Sequence, residues 1–182
     1  PPGGWQFPHD VPNSAWLRAN RDVPTLTWLG HSTFLLQVGG LNVITDPHLS
    51  PRASPFKRMG PKRWMPPAIE VEALPHIDLA LISHNHYDHL DEATVTRLAR
   101  QAGGPPRYMV PLKLAEWFKR RGLNSVTELD WWQIFSHAGV TLTFTPVQHW
   151  SARGTWDRDR SLWGGWRLDH PSFSFFFAGD TG

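Results

Sequence analysis

The chain contains no cysteine among its 182 residues. Disulfide bonds are therefore excluded, and any metal site must use imidazole and carboxylate ligands rather than thiolates. Long hydrophobic runs are absent as well, since the apolar run Phe173–Ala178 is far shorter than the roughly 20 residues that a membrane-spanning helix needs. We therefore expect a protein that does not cross a bilayer, and that is soluble or peripheral to a membrane in the cytoplasm.

A strong excess of one charge is also lacking, because 18 lysines and arginines face 16 acidic residues for a formal net charge of +2. The nearest approach to a basic patch consists of Lys57, Arg58, Lys62 and Arg63. We interpret this group as a solvated loop, and we expect no nucleic-acid partner. With 40% hydrophobic and 19% charged residues, the composition is typical of one ordinary globular domain.

The N-terminal part of the sequence predicts an irregular arm followed by a β-rich segment. Residues 1–24 are rich in proline, glycine and asparagine, which predicts an arm with at most one short helix near Ser14–Arg18. The folded domain is predicted to occupy residues 25–182, and Gly39-Gly40 predicts a hairpin turn near its start. Three short strands are predicted around this turn: Thr25–Leu29, Thr33–Val38 and Leu41–Thr45.

The rest of the chain predicts a mixed sheet with helices packed on it. Residues 47–75 are rich in proline and predict a long surface loop, which at that length is usually functional. The apolar run Ile77–Ser83 predicts a buried central strand, and Asp91 is predicted to cap a helix that reaches about Gln101. A second helix is predicted over Leu112–Arg121. Further strands are predicted at Tyr108–Val110, Ser125–Glu128, Val140–Thr145, Leu162–Leu168 and Phe173–Phe177. This order of elements indicates an α/β fold.

Three of the ten histidines fall within six residues, as His84, His86 and His89, with Asp88 beside the last. Because side chains at i and i+2 of an extended segment project to the same side, His84 and His86 can bind one metal ion together. Asp88 and His89, in the turn that follows, can face a second ion. The alternative is that these histidines only satisfy hydrogen bonds at a strand end. A metal site is favoured, because such a cluster is costly without an ion to pair it.

The motif His-x-His-x-Asp-His after an apolar strand resembles the signature of the metallo-β-lactamase superfamily, whose fold is a four-layer αββα sandwich. Three more residues stand in the order typical of that family: Asp46, His149 and Asp180. Within the superfamily the amino-acid sequence is most similar to the N-acylphosphatidylethanolamine-hydrolysing phospholipase D group and its bacterial relatives. The segments that carry this similarity are TWLGHSTFLLQ, TDPHLSPRASPFKRMGPKR, ISHNHYDHLD, ELDWW, PVQHWSARG, LWGGW and FFFAGDTG.

The resemblance implies a site with two zinc ions, in which a zinc-bound hydroxide is the nucleophile. Six ligands are implied. The first zinc would be held by His84, His86 and His149, the second by Asp88 and His89, and Asp180 would bridge the two. Asp88 is also the implied catalytic residue, which would orient the hydroxide and take its proton. Iron or manganese in place of zinc stays open, because these ligand types accept several metals.

Two further residues are interpreted as neighbours of the ligands. The resemblance implies that Asp46 hydrogen-bonds a ligand imidazole and fixes its tautomer, with a turn-capping aspartate as the alternative. His31, in Gly30-His31-Ser32, is either such a neighbour or an ordinary loop histidine. The other histidines are interpreted as ordinary surface or core residues: His9, His48, His76, His137 and His170.

The function implied by the resemblance is that of a zinc-dependent phosphodiesterase of the phospholipase D type. It would cleave N-acylphosphatidylethanolamine to an N-acylethanolamine and phosphatidic acid. The alternatives are the same site acting on a lactone or another phosphodiester, and a metal-binding module without turnover. Together with the lipid substrate, the 11 tryptophans and the basic loop predict peripheral association with membranes. Oligomeric state is left open.

The sequence ends at Gly182, two residues past Asp180. In the family, the second zinc takes a further histidine from a segment after the Gly-Asp-Thr-Gly motif, and the second half of the sandwich follows it. We therefore expect the N-terminal portion of a metallo-β-lactamase-type domain, incomplete in its C-terminal half. The second zinc site is expected to be incomplete in this chain, and Phe173–Phe177 is expected to expose an apolar face or edge.

Overall fold

The computed structural model describes residues 8, 10–56 and 58–182, and the predictions for His9 and Lys57 lie outside this part of the chain. The first of two sheets contains β1 (Thr25–Gly30), β2 (Thr33–Val38), β3 (Leu41–Thr45), β4 (Leu79–Leu81), β5 (Arg107–Pro111) and β6 (Val126–Leu129). The second contains β7 (Ile134–His137), β8 (Val140–Thr145), β9 (Gly165–His170) and β10 (Phe173–Phe177). The helices are α1 (Ser14–Ala19), α2 (Glu92–Leu98) and α3 (Ala115–Lys119), with one 3-10 turn at Val71–Ala73.

The first sheet combines an antiparallel meander with parallel strands, in the order β1 to β6. Strands β1, β2 and β3 pair antiparallel, whereas β3, β4, β5 and β6 pair parallel. Between β2 and β3, Gly39 and Gly40 have φ angles of 59° and 77°, which a two-residue hairpin of this type requires. Because parallel strands share one carboxyl edge, the residues that follow β3 and β4, Asp46 and Ser83, come together there.

Alternating side chains of the first sheet face two separate cores. Leu35 and Leu36 are neighbours on β2, yet Leu35 packs under the helices and Leu36 packs between the two sheets. Leu17 of α1 lies in the helix-facing core, so this helix packs onto the sheet. Phe144 and Trp166 from the second sheet fill the core between the sheets. The described residues thus form a helical layer and two stacked sheets, which are three successive layers of the predicted αββα sandwich.

Most predicted elements are present, and the differences have local causes. Helix α3 begins at Ala115 rather than at Leu112, because Lys113 has a φ of 69°, outside the helical region. Helix α2 is capped by Asp91 as predicted but ends at Leu98. Strand β7 was not predicted, because most of its side chains are exposed and give no alternating apolar pattern.

The edge of the second sheet and the lengths of the helices bear on two separate expectations, an exposed apolar edge at Phe173–Phe177 and the absence of a membrane-spanning helix. Strand β10 is an edge strand, and Phe176 on it is 56% exposed, in agreement with the expected apolar edge. Phe173 and Phe175 instead pack against the core between the sheets. Within the described residues, every helix is too short or too polar to span a bilayer.

Candidate metal centre

Three imidazoles meet at the carboxyl edge of the first sheet. His84 and His86 follow β4, and His149 follows β8. Nε2 of His149 lies 3.2 Å from Nε2 of His84 and 3.3 Å from Nδ1 of His86, and the last two atoms are 2.7 Å apart. Tetrahedral zinc, with Zn–N distances of about 2.0–2.1 Å, separates its ligand nitrogens by roughly 3.3 Å. Two of the three separations match that value, so the triangle has the size of a single metal site.

Asp46 is fully buried beneath the cluster and orients two of its imidazoles. Its Oδ2 accepts hydrogen bonds from Nδ1 of His89 at 2.7 Å and from the hydroxyl of Ser83 at 2.5 Å. Since the Ser83 hydroxyl donates to Asp46, it accepts from Nδ1 of His84, 2.8 Å away. A ring that donates through Nδ1 presents the lone pair of Nε2. In the neutral form of both imidazoles, the nitrogen that faces the centre unprotonated is therefore Nε2.

A second cluster adjoins the first and contains His31, Asp88 and His89. One ligand atom from each of these residues lies within 4.8 Å of the others. Asp180 faces both clusters: its Oδ1 lies 3.2 Å from Nε2 of His89, and its Oδ2 lies 3.7 Å from Nε2 of His149. A carboxylate with one oxygen toward each cluster has the geometry of a bridging ligand.

The electrostatics of the centre favour a cation. Burial and the neighbouring imidazoles lower the pKa of His84 to about 2, so its ring is neutral. Burial by itself would raise the pKa of Asp88. Its hydrogen bond with His31 and the charge of His89 together outweigh burial and lower the pKa, so this carboxylate is ionised. Burial likewise opposes protonation of His89, yet the neighbouring carboxylates of Asp180 and Asp46 raise its pKa to about 10. The carboxylates around His89 thus favour a positive charge at that point.

The donor atoms themselves fit metal ions. Within the described residues, Nε2 of His89 and Nε2 of His86 are buried without a hydrogen-bond partner. A buried polar atom left unpaired costs about 1–3 kcal/mol and calls for an explanation such as an ion. Nε2 of His89 is the atom that faces Asp88 and Asp180, where an ion would satisfy it. We find no comparable account of Nε2 of His86, which contributes Nδ1 to the cluster.

Arg153 holds the turn that carries His86, Asp88 and His89. Its Nη1 donates to the carbonyl of Asn85 at 3.0 Å and to that of Leu90 at 2.7 Å. Its guanidinium also lies over the ring of Tyr87, 4.1 Å from the centroid. Burial lowers the pKa of Arg153 to about 10. Sequence reasoning missed this residue, because its partners are backbone carbonyls, which have no signature in the sequence.

The structure brings the predicted site residues together in one place. These residues are His31, Asp46, His84, His86, Asp88, His89, His149 and Asp180. Of the histidines interpreted as ordinary, two lie on the second sheet and one lies beside the site, in the groove lining. His137 and His170 end β7 and β9 on the second sheet. His48 is buried, with its ring 6.0 Å from that of His31.

A groove of about 1260 Å³ ends at the second cluster, where His31 and Asp88 line it. Its walls are largely apolar, and they include Leu17, Leu26, Trp28, Trp64, Met65 and Pro66. Trp28 and Trp64 remain 50% and 68% exposed, which is unusual for such large apolar side chains. A groove of this composition suits an elongated apolar ligand.

Arg63 also lines this groove. The predicted solvated loop fits Arg58 and Lys62, which are exposed, whereas Arg63 is half-buried. Its Nε donates to the carbonyl of Met65 at 3.1 Å, and its Nη1 donates to the carbonyl of His48 at 2.5 Å. The side chain is half-buried against Gly30, whose missing Cβ leaves room for it. Burial lowers the pKa of Arg63.

Comparisons with known proteins agree with this geometry. The sequence family described as the β-lactamase superfamily domain matches residues 41–182. The chain is 41% identical over 165 residues to N-acyl-phosphatidylethanolamine-hydrolyzing phospholipase D 1 of Caenorhabditis elegans, a match that covers 86% of this chain and 46% of that protein. It is 34% identical to the mitochondrial N-acyl-phosphatidylethanolamine-hydrolyzing phospholipase D of Saccharomyces cerevisiae, covering 86% of this chain and 34% of that protein. The chain thus spans less than half the length of these two relatives.

Solved structures share the fold. Igni18, a metallo hydrolase from Ignicoccus hospitalis, superposes with a TM-score of 0.65 at 21% identity, over 87% of this chain and 61% of that one. CmlA, a diiron β-hydroxylase from Streptomyces venezuelae, superposes with a TM-score of 0.64 at 25% identity, over 87% of this chain and 30% of that one. The family match covers most of the chain and includes the two histidine clusters except His31. The chain therefore belongs to the metallo-β-lactamase superfamily.

Proposed function

We propose that this chain carries the metal centre of a zinc-dependent hydrolase with two metal positions. His84, His86 and His149 would hold the first ion, Asp88 and His89 would hold the second, and Asp180 would contribute to both. The observation that carries the proposal is the arrangement around Asp46, which orients His89 directly and His84 through Ser83. A buried carboxylate that fixes two imidazoles toward one centre is typical of metal sites.

When bound, the zinc ions would supply Lewis acidity and lower the pKa of a coordinated water to about 7. Residues of the chain would accept the proton of the attacking water and orient the proton acceptor. Asp88 lies at the end of the groove with an ionised carboxylate, so it can accept the proton of the attacking water. His31 fixes the orientation of that carboxylate through its contact with Oδ2. Proton acceptance at Asp88 is the catalytic role that we propose for this residue.

As substrate we propose a phospholipid phosphodiester of the N-acylphosphatidylethanolamine class. Water would attack the phosphorus, and the P–O bond to the ethanolamine would break, which gives phosphatidic acid and an N-acylethanolamine. Two relatives, at 41% and 34% identity, are named for this activity. The apolar groove that ends at Asp88 has the composition that an acyl chain needs. The exposed tryptophans on its walls also suit contact with a membrane surface.

The ligand types at this centre do not select one metal ion over another. Imidazole and carboxylate ligands accept zinc, iron and manganese. CmlA, at 25% identity, is described as a diiron enzyme. Metal content therefore has to be measured together with activity.

The experiment is an assay of the purified chain after loading with zinc, or with iron, on three substrates: N-palmitoyl-phosphatidylethanolamine in mixed micelles, bis(p-nitrophenyl) phosphate and a lactone. Mass spectrometry follows the release of N-palmitoylethanolamine. We expect metal-dependent release, which is lost in Asp88→Asn although that variant remains folded. Release by Asp88→Asn at the rate of the unmodified chain would rule out the proposed proton acceptor, and turnover of the lactone alone would rule out the proposed substrate class.

A further inference from the structure

Arg63 occupies a place in the groove that the proposed hydrolysis leaves unexplained. The residue before His31 is Gly30, and a Cβ built on Gly30 would overlap Nη2 of Arg63. The guanidinium therefore lies against the backbone of the segment that carries His31. Two histidines lie between Asp88 and Arg63: His31 is 3.0 Å from Asp88, His48 is 3.1 Å from Arg63, and the centroids of the two imidazole rings are 6.0 Å apart.

The guanidinium is hydrogen-bonded along one edge and has no hydrogen-bond partner along the other within the described residues. Its Nε donates to Met65 and its Nη1 donates to the carbonyl and Nδ1 of His48. Within residues 8, 10–56 and 58–182, Nη2 has no hydrogen-bond acceptor, and Arg63 forms no ion pair with a carboxylate. A half-buried cation normally has an anionic partner in contact, because removing a charge from water is costly. Asp91 acts on Arg63 only from beyond salt-bridge distance.

We infer that Arg63 is a specificity-determining residue that binds a phosphate oxygen of an anionic lipid head group through Nη2. Guanidinium donors pair with phosphate oxygens by strong, charge-assisted hydrogen bonds, and anchoring one edge of the fork aims the other. The apolar walls of the same groove would take the acyl chain of that lipid. The inference rests on the proposed function, and it adds selection for negatively charged amphiphiles over neutral ones.

The test compares two lipids that have the same chains and differ in charge. Isothermal titration calorimetry measures the binding of dihexanoyl-phosphatidic acid and of dihexanoylglycerol to the zinc-loaded chain, with inorganic phosphate as a third ligand. We expect the anionic lipid to bind more tightly than both others, since inorganic phosphate lacks the chains that the apolar walls receive. Equal affinity for the two lipids would overturn the inference. So would equal affinity for phosphatidic acid and inorganic phosphate, which would indicate a site for the free anion.

Variants then assign the selectivity to Arg63. Arg63→Gln is expected to weaken binding of phosphatidic acid roughly ten- to a hundred-fold while dihexanoylglycerol binds as before. Arg63→Lys, which keeps the charge but lacks the fork, is expected to recover part of the loss. The matched control is Arg52→Gln in the same loop, where the arginine donates to the carbonyl of Gly60, and it should leave both affinities unchanged.

The affinities of Arg63→Gln for the two lipids distinguish binding of phosphate by Arg63 from a role in supporting the loop. Equal weakening of both lipids by Arg63→Gln would mean that Arg63 only supports the loop, and unchanged binding would mean that it has no role. Both results overturn the inference. Because binding is measured without turnover, selective loss in Arg63→Gln would support the inference even if no phosphodiester were hydrolysed, an outcome that would count against the proposed function alone.

Discussion

His31 and Asp88 face each other at the end of the groove, with Nε2 of His31 3.0 Å from Oδ2 of Asp88. The backbone of His31 has a φ of 51°, a conformation that is uncommon for residues other than glycine. Its carbonyl accepts a hydrogen bond of 2.8 Å from the indole of Trp28, which helps to hold that conformation. The loop before β2 thus fixes an imidazole against the proposed catalytic carboxylate.

Replacing His31 by alanine should weaken the second metal position and spare the first. Without the contact to His31, the carboxylate of Asp88 can rotate away from His89, so we expect a loss of about 10- to 100-fold in affinity for the second ion. Titration with zinc in competition with a chromophoric chelator would resolve the two binding steps. The control is His137→Ala, on β7 in the second sheet. Two unaltered binding steps in His31→Ala would show that His31 does not support this position.

Replacing Ser83 by alanine should weaken the first metal position and spare the second, the reverse of the effect expected for His31→Ala. Ser83 connects Asp46 to His84, whereas His89 bonds to Asp46 without an intermediate. We therefore expect Ser83→Ala to weaken the first metal position, again by about 10- to 100-fold, and to leave the second nearly intact. Asp46→Asn should weaken both. The same competitive titration measures all three proteins, and equal losses at the two positions in Ser83→Ala would contradict the proposed connection.

Replacing Gly179 by alanine should disturb the neighbouring carboxylate of Asp180, the proposed bridge between the two metal positions. A Cβ on Gly179 would lie 2.6 Å from Cβ of Ser83, and the φ of +65° is itself unfavourable for alanine. The control is Gly122→Ala, at a similar φ of +75° but with nothing within 4 Å of the added atom. Both variants should lose roughly 1–2 kcal/mol of stability in urea denaturation from backbone strain. Only Gly179→Ala should also lose metal, and equal metal content in the two would refute this account of Gly179.

Removing Arg153 should loosen the turn that carries the ligands. Arg153→Met leaves the carbonyls of Asn85 and Leu90 without their donor, and each unpaired buried carbonyl costs roughly 1–3 kcal/mol. We expect lower stability in urea denaturation and weaker binding of both metals. Arg158→Met is the control, because Arg158 is exposed and stacks on Trp150. A stability equal to that of the control would show that Arg153 is dispensable.

The groove tryptophans should mediate reversible binding to anionic vesicles. Trp64→Ala and Trp28→Ala are each expected to reduce co-sedimentation with vesicles that contain phosphatidylserine, and added salt should weaken binding of the unmodified chain. Trp156 is 87% exposed and does not line the groove, so Trp156→Ala serves as the control. An equal reduction in all three variants would indicate general loss of apolar surface, and absence of binding at low salt would contradict the membrane proposal.

The sequence was sufficient to predict which side chains the structure brings together, because four of the six proposed ligands lie in one short motif after an apolar strand. The connection from Asp46 to His84 could not be predicted, since it passes through Ser83, and a serine at a strand end has many possible partners. Arg153 was missed because it bonds to backbone carbonyls.

Arg63 shows a different limit of the sequence. In a loop rich in proline and basic residues, an arginine looks solvated. Its partial burial depends on Gly30, more than thirty positions earlier in the chain, which leaves the space for its guanidinium. A contact between two such distant residues cannot be inferred from composition or periodicity in one sequence. The same holds for β7, which is paired to β8 but carries mostly exposed side chains.

The central claim, that the cluster of His84, His86 and His149 binds a metal ion, is tested most directly by metal content. Inductively coupled plasma mass spectrometry would measure zinc per chain in the unmodified protein, in His86→Ala and in the control His137→Ala, all purified in parallel and dialysed against zinc. We predict bound zinc in the unmodified protein and the control, and a loss of about one equivalent in His86→Ala. The same zinc content in all three proteins would contradict the account.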